Sequence, residues 1–214
     1  MKKIVLCLLL ATASVGFAQF TAKDVFSSKS IVWYGLNFTE AKMVGQFDQA
    51  MGAGPASASD LKNKWMPNWN GLIQSEPKNF KIAEAFQKND VFYDVTPTEK
   101  ANYAISTDDL MSFNAFKFPD GQKTVSKVIS KLGHGEKTEG IGVTFVVESF
   151  NKSTDEASIY VAVFDIKTKN VLILERIIGK PMGIGLRNFW AGAVKHVIKQ
   201  ITTEYYSKWK TLAK

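Results

Sequence analysis

Ile141-Gly-Val-Thr-Phe-Val-Val-Glu-Ser-Phe150, Ala157-Ser-Ile-Tyr-Val-Ala-Val-Phe-Asp-Ile166 and Val171-Leu-Ile-Leu-Glu-Arg-Ile-Ile-Gly179 follow one another after Gly140. Side chains of a strand alternate between its two faces. In the second segment Ile159, Val161 and Val163 share one side, and Tyr160, Ala162, Phe164 and Ile166 share the other. Both sides are apolar, which predicts a strand covered on both faces. In the third segment Val171, Ile173 and Ile177 fall on one face, and Leu172, Leu174 and Ile178 on the other. Glu175 and Arg176 interrupt both faces, which places that end of the strand toward an edge or rim. The connections 151–156 and 167–170 are polar and of hairpin length. The pattern predicts an antiparallel β-meander.

A long amphipathic helix follows, from Asn188 to about Lys210. Trp190, Val194, Val197, Ile198, Ile201 and Tyr205 recur at helical spacing, with Lys195, Lys199 and Lys208 elsewhere. Asn188 has the side-chain oxygen that an N-cap needs. Burying such a set contributes roughly 9–18 kcal/mol before ordering entropy is subtracted, enough to make the helix part of the core.

Upstream, Ser30–Phe38 reads as a strand broken at Gly35, and Gln46–Ser59 as a flexible loop. Ser59 or Asp60 is placed to cap a helix through Trp65, with Pro67 starting a new helix or kinking this one. Asn79–Lys88 reads as a short helix buried through Phe80, Ile82, Ala83 and Phe86, and Val91–Val95 as a strand. A strand is the expectation for Asn102–Ser106, and Phe113, Phe116 and Phe118 are expected to pack beneath a loop. Asp120–Leu132 is a helix with the stripe Val125, Val128, Ile129 and Leu132, capped by Asp120 and Gly133. The expected fold class is α/β, with α+β as the alternative. It is one domain over residues 19–214, with a mixed sheet, the C-terminal meander and the long terminal helix.

Met1-Lys-Lys3, the apolar run Ile4–Ala13 and Gly16-Phe-Ala18 have the order of a secretory signal peptide cleaved after Ala18. The run is too short to span a bilayer, so the mature chain is not expected to be membrane-spanning. The expected location is outside the cytoplasm, periplasmic or secreted. Cys7, the single cysteine, lies within the apolar run, so neither a lipid-carrying start nor a disulfide is expected. Formal charge falls from +7 to +5 when Lys2 and Lys3 leave, and Arg176 and Arg187 are the only arginines. Nucleic acid is not an expected partner, because bidentate readout favours arginine and no lysine run has the length of a basic tail.

The segment Val163-Phe-Asp-Ile-Lys-Thr-Lys-Asn-Val171, within the element order from Ser30 to the terminal helix, resembles a known module. This is the α/β module shared by the curli-secretion lipoprotein family and the amino-terminal domain of the Tol-system translocation protein. There a strand ending in Asp-x-Lys-Thr-Gly-x-Val/Leu precedes a closing strand and helix, and Asn170 is set at the glycine of that pattern. The resemblance implies an envelope-assembly or binding module with no active site.

Lys180-Pro-Met-Gly-Ile-Gly-Leu-Arg-Asn188 joins strand to helix through glycines. It is not a dinucleotide fingerprint, since Asn188 replaces the third glycine and no further parallel strand follows the helix. The structural reading is a tight turn that needs glycine backbone angles. The functional reading is an anion site in which Lys180, Gly183, Gly185, Arg187 and Asn188 surround free helix-start amides. His134 with Glu136 and Glu139 matches no metal-site spacing and reads as an exposed loop. His196 reads as a boundary residue of the helix, while Asp94, Asp108 and Asp109 remain open as histidine partners. Trp65 and Trp69 read as core, with a stacking platform as the alternative. Neither a cofactor nor a catalytic residue is expected. The function expected is a non-enzymatic binding or envelope-assembly module for an envelope protein or anionic ligand. The alternative is a secreted hydrolase, carbohydrate-active, with acids drawn from separate loops.

Overall fold

Strand β5 (Ile141–Asn151) is the hub of the sheet in the computed structural model, which describes residues 19–49 and 54–213. The signal peptide read at residues 1–18 lies outside the described residues, as does part of the Gln46–Ser59 loop. Along one edge of β5, strands β1 (Ser30–Asn37) and β2 (Lys42–Val44) lie end to end, both parallel to it. Beside them, β3 (Asp90–Tyr93) pairs parallel with β1, and β4 (Met111–Ser112) pairs parallel with β2. The other edge carries β6 (Glu156–Asp165) and then β7 (Val171–Gly179), both antiparallel.

The fold is α/β with a mixed sheet, but the meander pattern describes only its antiparallel side. Most of the pairings among the described residues are parallel. The parallel half escapes pattern reading because β2, β3 and β4 are two to four residues long, too short to show a period.

Both faces of β6 are covered. Ile159, Val161 and Val163 join the larger core beneath α3 (Met66–Ser75) and α8 (Gly185–Gln200). Ala162, Phe164 and Ile166 join the smaller core beneath α7 (Gly121–Lys131). On β7 the predicted faces are corrected. A register shift opposite Val163 and Phe164 leaves Leu172 as an extra residue, so Val171 packs with Leu174 and not with Ile173. β7 is an edge strand, and Arg176 reaches from it to the buried carboxylate of Glu148 through Nε at 2.9 Å and through Nη2. In the 166–170 hairpin, Asp165 accepts the amides of Lys167 (2.8 Å) and Thr168 (3.1 Å). Lys169, with φ 61°, takes the left-handed position, and counting from Asp165 it is Lys169 and not Asn170 that stands at the glycine of the Asp-x-Lys-Thr-Gly pattern.

After α1 (Ala22–Ser27), the helices are corrected at their ends. Ser57, not Ser59 or Asp60, caps α2 (Ala58–Asp60), because its Oγ accepts the Asp60 amide at 3.1 Å while Asp60 reaches back to the Ser57 amide. A π turn, Leu61–Trp65, then joins α2 to α3. Pro67 stands in the first turn of α3, as expected of a proline at a helix start, and does not break the run because it has no amide to leave unpaired there. The predicted helix over 79–88 is two short pieces, α4 (Pro77–Phe80) and α5 (Ile82–Ala85), divided by Lys81 at φ 46°. Asn102–Ser106 is not a strand; Asn102 lies in α6 (Thr96–Tyr103). Phe113 is exposed, whereas Phe118 is buried. Gly133 has no left-handed backbone and does not cap α7, which ends at Leu132 in extended geometry.

The terminal helix begins at Gly185, with Ile184 and not Asn188 at the N-cap. A second π turn, Ile201–Tyr205, leads into α9 (Tyr206–Leu212). The added residue rotates the buried face, so Tyr206 and Trp209 continue the core while Tyr205 is only partly covered.

Candidate functional site

Residues 179–184 fold back along α8 instead of leading away from it. A Cβ on Gly179 would lie 2.3 Å from the carbonyl oxygen of Ala193. Next, Lys180 donates its amide to His196 Nδ1 at 2.9 Å, and Met182 donates to the Phe189 carbonyl at 3.3 Å. Gly183 (φ 128°) and Gly185 (φ 78°) then turn the chain into the helix. The close seat depends on Gly192, where a Cβ would stand 2.0 Å from Met182 O. With its backbone pressed on the helix, the turn directs side chains outward: Met182 is 73% exposed and Ile184 94%.

The residues predicted for an anion site are thereby separated into two groups. Gly183 lies against Asn188, a Cβ there meeting Asn188 O at 3.0 Å, and Arg187 Nη1 donates to Asn188 Oδ1 at 3.3 Å. Arg187 also approaches Glu76, at 4.0 Å. Lys180 stands beside His196, nine residues along the helix from Arg187, or about 13 Å of axis at 1.5 Å per residue. Gly183, Gly185, Arg187 and Asn188 are brought together, and Lys180 is not.

Lys180 instead adjoins a groove that the sequence did not single out. The groove, with a cavity volume of 530 Å³, runs between α8 and the α4–α5 pair. Phe80 and Ile198 form its apolar floor and Met182 closes one end. Gly192, Lys195, His196, Lys199 and Thr202 form one stripe of the helix along one wall, at three- and four-residue spacing. Lys81 and Glu84, ion-paired at 2.9 Å, stand on the other wall. Among the described residues no carboxylate pairs with Lys180, Lys195 or Lys199, so the rim carries uncompensated positive charge. One sequence signal for this face existed: Met182 and Ile184 alternate with glycines between two cations, outside any apolar period that would bury them.

The remaining candidates resolve differently. His134 is exposed in its loop, and no group of metal-ligating side chains occurs among the described residues. His196 is partly buried and spends Nδ1 on the Lys180 amide. Asp94 accepts the Glu136 amide at 2.7 Å, while Lys42 binds the Asp109 carbonyl. The buried acids are held within the fold: Glu148 by Arg176 and the Phe118 amide, Asp165 by its hairpin and the Phe20 amide. Trp69 is fully buried, with Nε1 on the Arg187 carbonyl at 3.1 Å, and Trp65 packs against it partly covered, 6.5 Å between ring centroids. Among the described residues no helix is long and apolar enough to cross a membrane. No family model matches this chain, and no curated protein matches it.

Proposed function

We propose that the chain is an exported, non-enzymatic binding module that holds an envelope partner through the 181–184 turn and the adjoining groove. One observation carries this: two large apolar side chains, Met182 and Ile184, stand in solvent beside an apolar floor bordered by unpaired lysines. Exposed apolar side chains grouped at a concave, charged-rimmed surface are the usual mark of a protein contact. The glycines support the same reading, because they hold the turn against the helix and keep these side chains out of the core. Export rests on the order of charged, apolar and small residues at 1–18. The likeness of Asp165–Val171 to the curli-secretion and Tol modules points toward envelope assembly.

The test is affinity capture from the native envelope with the wild-type chain and with a Met182→Asp, Ile184→Asp variant. Both side chains are exposed, so the variant keeps its fold by circular dichroism. A stoichiometric partner held by the wild type and lost by the variant is the expected result. A partner held equally by both, or turnover of a glycan panel by the purified protein, overturns the proposal.

A further inference from the structure

We infer that the occupant of the groove is an acidic amphipathic helix of a protein partner, about three turns long. This rests on the groove being the binding face and adds the chemistry of what fills it. From Gly192 to Thr203 the groove follows about 16 Å of helix axis, the length over which a partner helix offers anchors at i, i+3, i+4 and i+7. Its lining accepts apolar side chains, since Phe80 and Ile198 lie at its base and Met182, largely exposed, stands at one end.

Charge then selects the partner's flanks. On one wall Glu84 is taken up by Lys81, whereas Lys195 and Lys199, one turn apart on the facing wall, form no ion pair among the described residues, and the Lys180 backbone adjoins them at His196. Glutamates beside the apolar anchors satisfy these cations, and lysines there are repelled. A flat anionic bilayer reaches Met182 and Ile184 but leaves the recessed floor unfilled, which favours the helix. Thr202 and Thr203 donate their hydroxyls to the Ile198 and Lys199 carbonyls, so the far end of the groove adds no strong polar demand.

The probe is a fluorescein-labelled helical peptide of about 14 residues, with leucine at i, i+3, i+4 and i+7 and glutamate on the flanks. A second peptide carries lysine for each glutamate, and phosphatidylglycerol vesicles are a third probe. The expected result is that the glutamate peptide binds at least about tenfold tighter than the lysine peptide, and less tightly as salt rises. The Lys195→Glu, Lys199→Glu variant, with unchanged circular dichroism, should lose at least about tenfold. Equal binding of both peptides, or vesicle binding with no peptide binding, overturns the inference. If neither peptide binds while the Met182→Asp, Ile184→Asp variant still loses its captured partner, the partner class is wrong and the binding face stands.

Discussion

Where β1 bends into β2, two buried asparagines replace the sheet, and replacing them tests the account of that bend. Asn70 Oδ1 accepts the Leu36 amide at 2.7 Å, and Asn102 Oδ1 accepts the Phe38 amide at 2.8 Å. Both side-chain amides donate to one acceptor, the Leu36 carbonyl, at 3.1 Å from Asn70 and 2.9 Å from Asn102. Asn70→Leu strands the Leu36 amide but leaves its carbonyl bonded. An orphaned buried group costs about 1–3 kcal/mol, and the lost bond adds about 1 kcal/mol, so each single variant should lose about 2–4 kcal/mol. Leucine is chosen because it keeps water from filling the site. In the double variant the Leu36 carbonyl also loses both partners, a penalty absent from either single. The two substitutions should therefore couple by about 1–3 kcal/mol beyond additivity. Urea unfolding followed by tryptophan fluorescence measures the cycle. If the double variant is unfolded in buffer, all four chains are compared in trimethylamine N-oxide, which favours the folded state. Additivity within about 0.5 kcal/mol would refute the shared-acceptor argument.

Three further outcomes follow from other contacts. Arg176→Met leaves the buried Glu148 carboxylate with only the Phe118 amide, and should cost about 3 kcal/mol in a urea titration. Adding Glu148→Leu should recover part of that loss, and a double variant worse than the single would sink the argument. Ser57→Ala should cost about 1 kcal/mol and Ser59→Ala almost nothing, because only Ser57 caps the helix; equal losses would place the cap elsewhere. Tyr34, with a buried hydroxyl that finds no hydrogen-bond partner among the described residues, is pushed up to about 12 by burial and by Asp94. Its contribution to stability is complete below the unfolded value near 10 and disappears as pH rises through 12. Tyr34→Phe should flatten that alkaline fall in unfolding free energy, and an unchanged slope between pH 9 and about 12 assigns the fall to other groups.

The fold was legible where periods were long. β5, β6 and β7 each run for nine residues or more, so their alternation survives noise, and α7 shows a full apolar stripe with Asp120 at its cap. Legibility ended where one residue shifts a pattern. Leu172 reverses the faces of β7, and the π turn at Ile201–Tyr205 passes the core position from Tyr205 to Tyr206. Neither insertion changes composition, so nothing in residue type announces it. The short parallel strands were hidden for a different reason. Their partners are set by tertiary contacts that no local pattern announces.

The candidate face shows the same division between local and nonlocal information. Glycine chemistry at 183 and 185 was readable because left-handed backbone is a property of single residues. The convergence of Lys180 with Arg187 was not, because chain proximity says nothing of direction, and the turn runs back along the helix before entering it. The fold-back itself depends on Gly192, which lies within α8 and reads there as an ordinary weak helix former. A glycine inside an otherwise good helix is a cost of about 1 kcal/mol unless something approaches it closely. Here the Met182 carbonyl does, and that contact turns an apparent flaw of the helix into the reason that Met182 and Ile184 face solvent beside the groove.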